Sequence, residues 1–457
     1  MSKSNLELLM PAGDMQKLKY AFAFWADAVY VWAPIFSLRA RTNGFTMETL
    51  KDAVDYAHSL WKKIYFTANI YAHNIKIKPF MAQFGKMLEM NPDAFIMADP
   101  WLIHLVKKEF PEAVIHLSVQ ANNTNWAQVD FWETQWIERV ILSREISIKE
   151  MKEINEKCPK MELEAFVHWA ICMAYSWRCL ISNYLSMRDP NQWTCSHSCR
   201  WEYKMYKWES DVELDETTWR PVNYEPLADT YYIEEKERPG ELMLLDEDEN
   251  GTYMMNSRDM CWIDYVKDLV DAWVISFKVE WRNKTINYVA TVAKAYRKAL
   301  DCIAEWKEVP TKELAEELFS ISNRGYIPGF LAWNPGANAQ FYERNWGFQT
   351  KLYAWEPLEY DEENKMLKIA VKDRIRVGDS VEILTPTDNY SQEIREIIKT
   401  DKETWEKTDS VDIAHPGWVN VWISCDKNPW EFSVIRIAVE SDDDKEKFED
   451  ELNKKIG

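Results

Sequence analysis

The chain has 457 residues, 47% of them hydrophobic and 28% charged, with a formal net charge of −20. That is core enough for two or three domains of ordinary globular balance, and no run nears the roughly 18 apolar residues that a membrane span needs. So acidic a surface excludes indiscriminate nucleic-acid binding but leaves room for a local basic groove.

The opening Met1-Ser2-Lys3-Ser4-Asn5 runs straight into strand-like Leu6–Leu9 without a signal-peptide pattern, so a cytoplasmic location and reduced thiols are expected. Further strand-like segments fall at Ala28–Trp32, Ile64–Ile70, Ala94–Ala98, Val114–Val119, Arg139–Leu142, Leu163–Val167 and Val274–Val279. Helix-like stretches separate them, among them Met15–Phe24, Met47–Leu60, Trp101–Phe110, Trp126–Gln135 and Ser147–Lys157. Eight strands alternating with helices predict an α/β fold, a (β/α)8 TIM-like barrel, with a doubly wound open sheet as the alternative.

The connection between the seventh and eighth strands, 168–272, is far longer than a barrel loop and reads as an insertion. Within it Glu209–Gly240 is acidic and poorly patterned, which predicts an irregular excursion. The barrel with this insertion is assigned to 1–305, followed by a bridging region at 306–350. Strand patterns from Leu358–Tyr360 to Val434–Val439 predict a small all-β, barrel-like domain over 351–445, and 446–457 is a charged tail.

Glycine and tryptophan are out of proportion. Twelve glycines are under half the usual share of about 7%, whereas tryptophan reaches 24. Trp25, Trp61, Trp136 and Trp273 each stand where a helix pattern gives way to a strand. That junction calls for a left-handed residue, cheap for glycine and costly for a bulky side chain. Many of these tryptophans are therefore expected to stand in glycine positions.

Cys172, Cys179, Cys195 and Cys199 follow the spacing C-x6-C-x15-C-x3-C, while Cys158, Cys261, Cys302 and Cys425 are dispersed. Four gathered thiolates can hold zinc or a 4Fe-4S cluster, or serve as redox or structural thiols, and the spacing leaves all three open. Arg178 and Arg200 flank the group and favour thiolate forms.

Barrel chemistry sits at the C-terminal ends of the strands, here Asn69, Asp99, Gln120, Asn122, Arg144, Glu145, His168, Lys278, Glu280 and Arg282. His168, Glu145 and Glu280 are the candidates for proton transfer, with a hydrogen-bonding supporting role the alternative for His168. Arg39, Arg41, Asn69, Gln120, Asn122, Arg144, Lys278 and Arg282 are candidates for substrate binding, arginine being suited to carboxylate or phosphate. Arg144–Glu145 and Lys278–Glu280 read equally well as structural pairs. Arg39, Arg41, Lys62, Lys63, Lys76 and Lys78 form the candidate basic patch.

The stretch Glu164-Ala165-Phe166-Val167-His168-Trp169-Ala170-Ile171-Cys172, followed by Trp177-Arg178-Cys179-Leu180-Ile181-Ser182, resembles the signature of the collagenase-like peptidase family U-32. That signature reads E-x-F-x-x-G-[SA]-x-C and then G-x-C-x-x-S. The likeness extends through Pro11-Ala12-Gly13, Ser118-Val119-Gln120-Ala121-Asn122, Leu142-Ser143-Arg144-Glu145 and Lys278-Val279-Glu280-Trp281-Arg282, covering nearly the first 300 residues and the all-β tail. Trp169, Trp177, Trp193 and Trp281 stand where the family pattern has glycine.

The resemblance implies an RNA-hydroxylating enzyme. Family members of this two-domain type make 5-hydroxyuridine at the tRNA wobble position without oxygen, with prephenate as co-substrate and a 4Fe-4S cluster bound. Cys172, Cys179, Cys195 and Cys199 carry over as ligands, with Cys261 in reserve for Cys199. The implied partners are tRNA, a small dicarboxylate and the iron–sulfur assembly machinery; no membrane is implied, and no oligomeric state follows. A peptidase, as the family's label has it, and a zinc-stabilised RNA-binding module are the alternatives. No G-x-S-x-G, H-E-x-x-H or Cys/His pairing supports proteolysis.

Overall fold

Eight strands of largely buried residues close into a parallel barrel in a computed structural model of the chain. It describes residues 6–34, 36, 44–170, 231–234, 242–248, 251–253, 257–280, 285–331, 349–400, 407–418, 421–429 and 432–438. The first seven strands are β1 (Glu7–Pro11), β2 (Ala28–Trp32), β3 (Lys63–Thr67), β4 (Ala94–Met97), β5 (Ile115–Leu117), β6 (Arg139–Ile141) and β7 (Glu162–Ala170). Tyr231–Glu234 (β8), Leu242–Asp248 (β9) and Gly251–Tyr253 (β10) form a separate antiparallel sheet. Asp259–Cys261 (β11) lies antiparallel on β7, and Val274–Val279 (β12) pairs in parallel with both β7 and β1, which closes the ring. The barrel expectation holds; the open sheet does not.

Between the strands run α1 (Met15–Ala23), α2 (Met47–Ser59), α3 (Asn74–Leu88), α4 (Pro100–Glu109), α5 (Trp126–Thr134) and α6 (Ile148–Lys157). Their starts are written in the sequence. Asp14 accepts from the Lys17 N–H, Thr46 and Ser147 make reciprocal capping boxes, and Asp99 caps a helix that opens on Pro100. The helix α3 lacks a side-chain cap and contains Pro79, so its sequence signal is weak. Val119, expected in the fifth strand, instead enters a 3-10 turn, Val119–Ala121.

The insertion is partly ordered strand: β8 falls inside the stretch expected to be irregular, because Tyr231–Glu234 finds a partner in β9. After α7 (Val266–Asp271) and β12 comes α8 (Ile286–Ala304), most of whose residues are buried. The bridging region contains α9 (Thr311–Phe319) and β13 (Tyr326–Ile327), the latter extending the sheet beside β11. Beyond it, an eight-stranded antiparallel sheet and a two-stranded ribbon enclose a second apolar core that includes Leu367, Ile369, Val381, Ile383, Ile423 and Ile435. That is the all-β domain expected from the strand patterns. The tail 446–457 lies outside the described residues.

The helix ends bear out the junction geometry read from the sequence. Trp25, Trp61, Trp136 and Trp273 all have left-handed backbone, with φ of 70°, 57°, 57° and 64°. Trp306, after α8, joins them at 56°. It is absent from the sequence reading because a helix rather than a strand follows it.

Candidate active site at the barrel mouth

Charged residues inside otherwise apolar strands build the barrel interior in layers. At the N-terminal end, Arg139 reaches Glu7 at 2.5 Å, Glu162 at 2.8 Å and Glu164 at 3.4 Å. Tyr65 and Ser276 donate to Glu7 at 2.6 and 2.8 Å. Burial pushes the Glu7 carboxyl up, but Arg139 and the donors outweigh it and hold the group below its ordinary value. Burial, then repulsion from Arg139, Lys278 and Lys63, keeps His116 neutral. These groups face away from the mouth and read as structural.

Glu7 titrates lower when folded than when unfolded, so its stabilisation is whole above the ordinary carboxylate value of 4.5 and fades as pH falls through the depressed folded value. Urea midpoints are expected to drop steadily below about pH 4.5. In Glu7→Gln that acid slope should be shallower, and an unchanged slope would remove Glu7 as a contributor.

One layer up, Lys278 Nζ sits 2.8 Å from Glu164, which is fully buried, and 4.5 Å above the Tyr30 ring. Burial lowers the Lys278 pKa, with Glu164 acting against it. At the mouth, Arg144 pairs with Glu280 at 2.9 Å, and the Asn69 amide donates to Gln120 at 2.7 Å. Asn69 Oδ1 and both side-chain polar atoms of Asn122 have no hydrogen-bond partner among the described residues. A narrow cavity of about 40 Å³ opens there, walled by Tyr30, Trp32 and Phe166 and edged by Asn69, Gln120, Lys278 and Glu280. It has room for about one or two water molecules.

The structure corrects the pairing read from sequence neighbours: Arg144 binds Glu280 rather than Glu145, and Lys278 binds Glu164 rather than Glu280. Glu164 lies on β7, which pairs directly with β12, so it meets Lys278 inside the barrel and leaves Glu280 to Arg144 at the mouth. Glu145 accepts from the Ser143 hydroxyl and does not line the cavity. His168 is also outside the lining. It is held between β7, α8 and β13, with Nδ1 3.4 Å from the Tyr296 hydroxyl and Nε2 3.2 Å from that of Tyr326. Asp99 is spent on capping α4 and on the Ala72 N–H.

The basic patch divides. Lys62 and Lys63 lie at the N-terminal end of β3, near Asp27 and Glu7, whereas Lys76 and Lys78 belong to α3, beyond the strand's other end. Arg39, Arg41, Arg282 and the four clustered cysteines lie outside the described residues. Their segment nevertheless leaves from a defined place: β7 ends at Ala170, two residues before Cys172, and β11 returns beside it at Asp259. Cys261 is buried, with its sulfur 3.6 Å from the Tyr296 hydroxyl. Tyr30, Trp32, Phe166 and Glu164 were not singled out as site residues; the available signal was a carboxylate and large aromatics at inward positions of short apolar strands.

Fold and site together define a two-domain β/α-barrel protein with a polar, aromatic-walled mouth and a cysteine-bearing segment leaving from its rim. Residues 13–340 match the model of peptidase family U32, and residues 356–436 match that family's C-terminal domain. The chain belongs to peptidase family U32. It is 44% identical over 396 residues to tRNA hydroxylation protein P of Escherichia coli (strain K12), covering 84% of this chain and 87% of the relative. It is 31% identical to tRNA hydroxylation protein P1 of Bacillus subtilis (strain 168), covering 94% of both. A solved U32 peptidase structure aligns with 36% of this chain and 69% of its own, at 13% identity and a TM-score of 0.32.

Proposed function

We propose that the chain is an RNA-modifying enzyme that 5-hydroxylates the wobble uridine of tRNA, with prephenate as co-substrate. The observation that carries this reading is the likeness, along most of its length, to relatives named as tRNA hydroxylation proteins. The barrel mouth supplies parts suited to the task. Trp32, Tyr30 and Phe166 offer faces and edges for a pyrimidine extruded from its stack, and Asn69 holds an unspent amide oxygen for its polar edge. The narrow inner end admits the edge of a base rather than a whole ring. Lys278 and the Arg144–Glu280 pair place charge beside it, where a carboxylated co-substrate would be drawn.

Cys172, Cys179, Cys195 and Cys199 would hold a 4Fe-4S cluster, which supplies one-electron redox chemistry when bound. The donor set fits such a group in number and type, and the first of these cysteines follows the C-terminal end of β7 by two residues in sequence. Proteolysis finds no support among the described residues: Cys158 and Cys261 are buried, burial pushes the Cys425 thiol up to about 11, and His168 is engaged by two tyrosines. Among the same residues no helix is long and apolar enough to cross a membrane.

The test is nucleoside analysis of tRNA from a bacterial strain lacking wobble uridine hydroxylation and complemented with this chain. Hydroxyuridine should reappear, and Cys172→Ser or Cys179→Ser should abolish it together with visible cluster absorption. Lys278→Met should lower the yield by about 100-fold, the usual loss for a positioned charged group in a dry site. No hydroxyuridine from a cluster-loaded chain would refute the substrate assignment. Full activity in Lys278→Met would move the site away from this cavity.

A further inference from the structure

Nine non-glycine residues among the described residues have positive φ, and five of them are tryptophan, which fills only 24 of 457 positions. Trp25, Trp61, Trp136, Trp273 and Trp306 each stand one residue past a helix's last cap. Around Trp61 the Trp61 N–H donates to the His58 carbonyl and the Lys62 N–H to that of Ala57, both at 3.0 Å. The same pair of bonds closes the helices before Trp25, Trp136 and Trp306. This is a Schellman cap, whose left-handed residue is usually glycine, because a Cβ there meets the neighbouring carbonyl. Asparagine is the common substitute, as at Asn91 and Asn122.

The five indoles return nothing for that strain. They are between 53% and 96% exposed, and only that of Trp25 has a hydrogen bond among the described residues, to the Pro386 carbonyl at 3.4 Å. A surface cleft of about 720 Å³ between α7 and the turn after α8 takes part of its wall from Trp273 and Trp306, so it too depends on them. Two buried tryptophans behave differently. Trp132 is 7% and Trp262 1% exposed, both with negative φ, and the Trp262 indole donates to the Pro328 carbonyl at 2.8 Å.

We infer that the chain made in its own host carries glycine at positions 25, 61, 136, 273 and 306, where a codon decoded there as glycine is written as tryptophan, while Trp132 and Trp262 are genuine. One decoding rule then accounts for five separate strained caps and for a glycine count of 12. It also covers Trp169, Trp177, Trp193 and Trp281, which depart from the family signature in the same sense. It stands apart from the proposed hydroxylation, since it rests on backbone geometry. A practical consequence is that expression with tryptophan at these codons yields a strained chain with indoles in the cysteine segment.

Two measurements decide it. In the gene, the five cap positions should carry UGA, the codon whose meaning varies between genetic codes, and positions 132 and 262 should carry UGG. Peptides of the protein isolated from its host should weigh as glycine at the five and tryptophan at the two. Tryptophan masses at the caps, or UGG at all seven, would overturn the inference. Separately, the full chain carrying Trp25→Gly, Trp61→Gly, Trp136→Gly, Trp273→Gly and Trp306→Gly should melt higher by roughly 1 °C or more per position. An unchanged or lower Tm would overturn the strain argument beneath it.

Discussion

Arg139→Met is expected to lower folding stability by about 3–5 kcal/mol, because it strips the cation from a buried carboxylate cluster. Glu7 and Glu164 both lean on this guanidinium, Glu164 with no exposure at all. Lys278 remains for Glu164, but among the described residues Glu7 keeps only the Tyr65 and Ser276 hydroxyls and distant Lys63. Urea unfolding of the single variant and of Arg139→Met with Glu7→Gln would apportion the loss. The double variant should recover part of it, since an apolar and a neutral group can share the space that one unpaired charge cannot. A loss under about 1 kcal/mol in the single variant would mean that water or rearrangement compensates, contrary to the packing.

Arg436→Met should cost a similar amount and, in addition, uncouple the two domains. Arg436 is fully buried and reaches Glu317 of α9 at 2.7 Å, Glu382 of the C-terminal sheet at 2.8 Å and Thr291 of α8 at 3.3 Å. Lys351 flanks both carboxylates. Smaller polar contacts also cross this seam: Tyr20 donates to the Ser433 carbonyl at 3.1 Å, Lys294 to the Thr385 carbonyl at 2.7 Å and to Asn389 at 2.8 Å, the Trp25 indole to the Pro386 carbonyl at 3.4 Å, and the Thr350 and Lys351 N–H groups to the Ser320 carbonyl at 3.1 and 3.0 Å. Calorimetry of the variant is expected to show two transitions where the parent shows fewer, with the lower one belonging to the C-terminal domain. A single transition at the parent temperature would show that apolar contact alone joins the domains. Burial pushes the Glu317 carboxyl up, but Arg436 and Lys351 outweigh it and hold it below its ordinary value. The parent should therefore lose this stabilisation as pH falls below about 4.5, and the variant should lose less.

Much of the barrel was legible because its strands are short, continuous apolar runs, such as Ala28–Trp32, punctuated by helices with clear caps at Asp14, Thr46, Asp99 and Ser147. The helix α3 was expected only from the alternation, its own signal weakened by the internal proline, and the short β13 escaped because a two-residue strand has no period to read. The left-handed junctions at Trp25, Trp61, Trp136 and Trp273 were visible as interruptions between two periodicities, whatever residue occupied them. The candidate site was legible by type and misread by partner. Arg144, Glu280, Lys278, Asn69 and Gln120 do meet at the mouth, but Glu145 and His168 face elsewhere, and the lysines of the basic patch sit at opposite ends of β3.

The sequence by itself determined the alternation of strand and helix, the positions needing left-handed backbone, the cysteine spacing and the family signature, since each is a local pattern within a few tens of residues. Only the tertiary structure decided which charges pair. Arg139 with Glu7, Lys278 with Glu164, Arg144 with Glu280 and Arg436 with Glu317 are separated by more than a hundred residues of chain; ring closure by β12 brings the first three together, and docking of the C-terminal sheet on α9 the fourth. A strand fixes which of its residues point inward; it takes the closed barrel to fix what they find there.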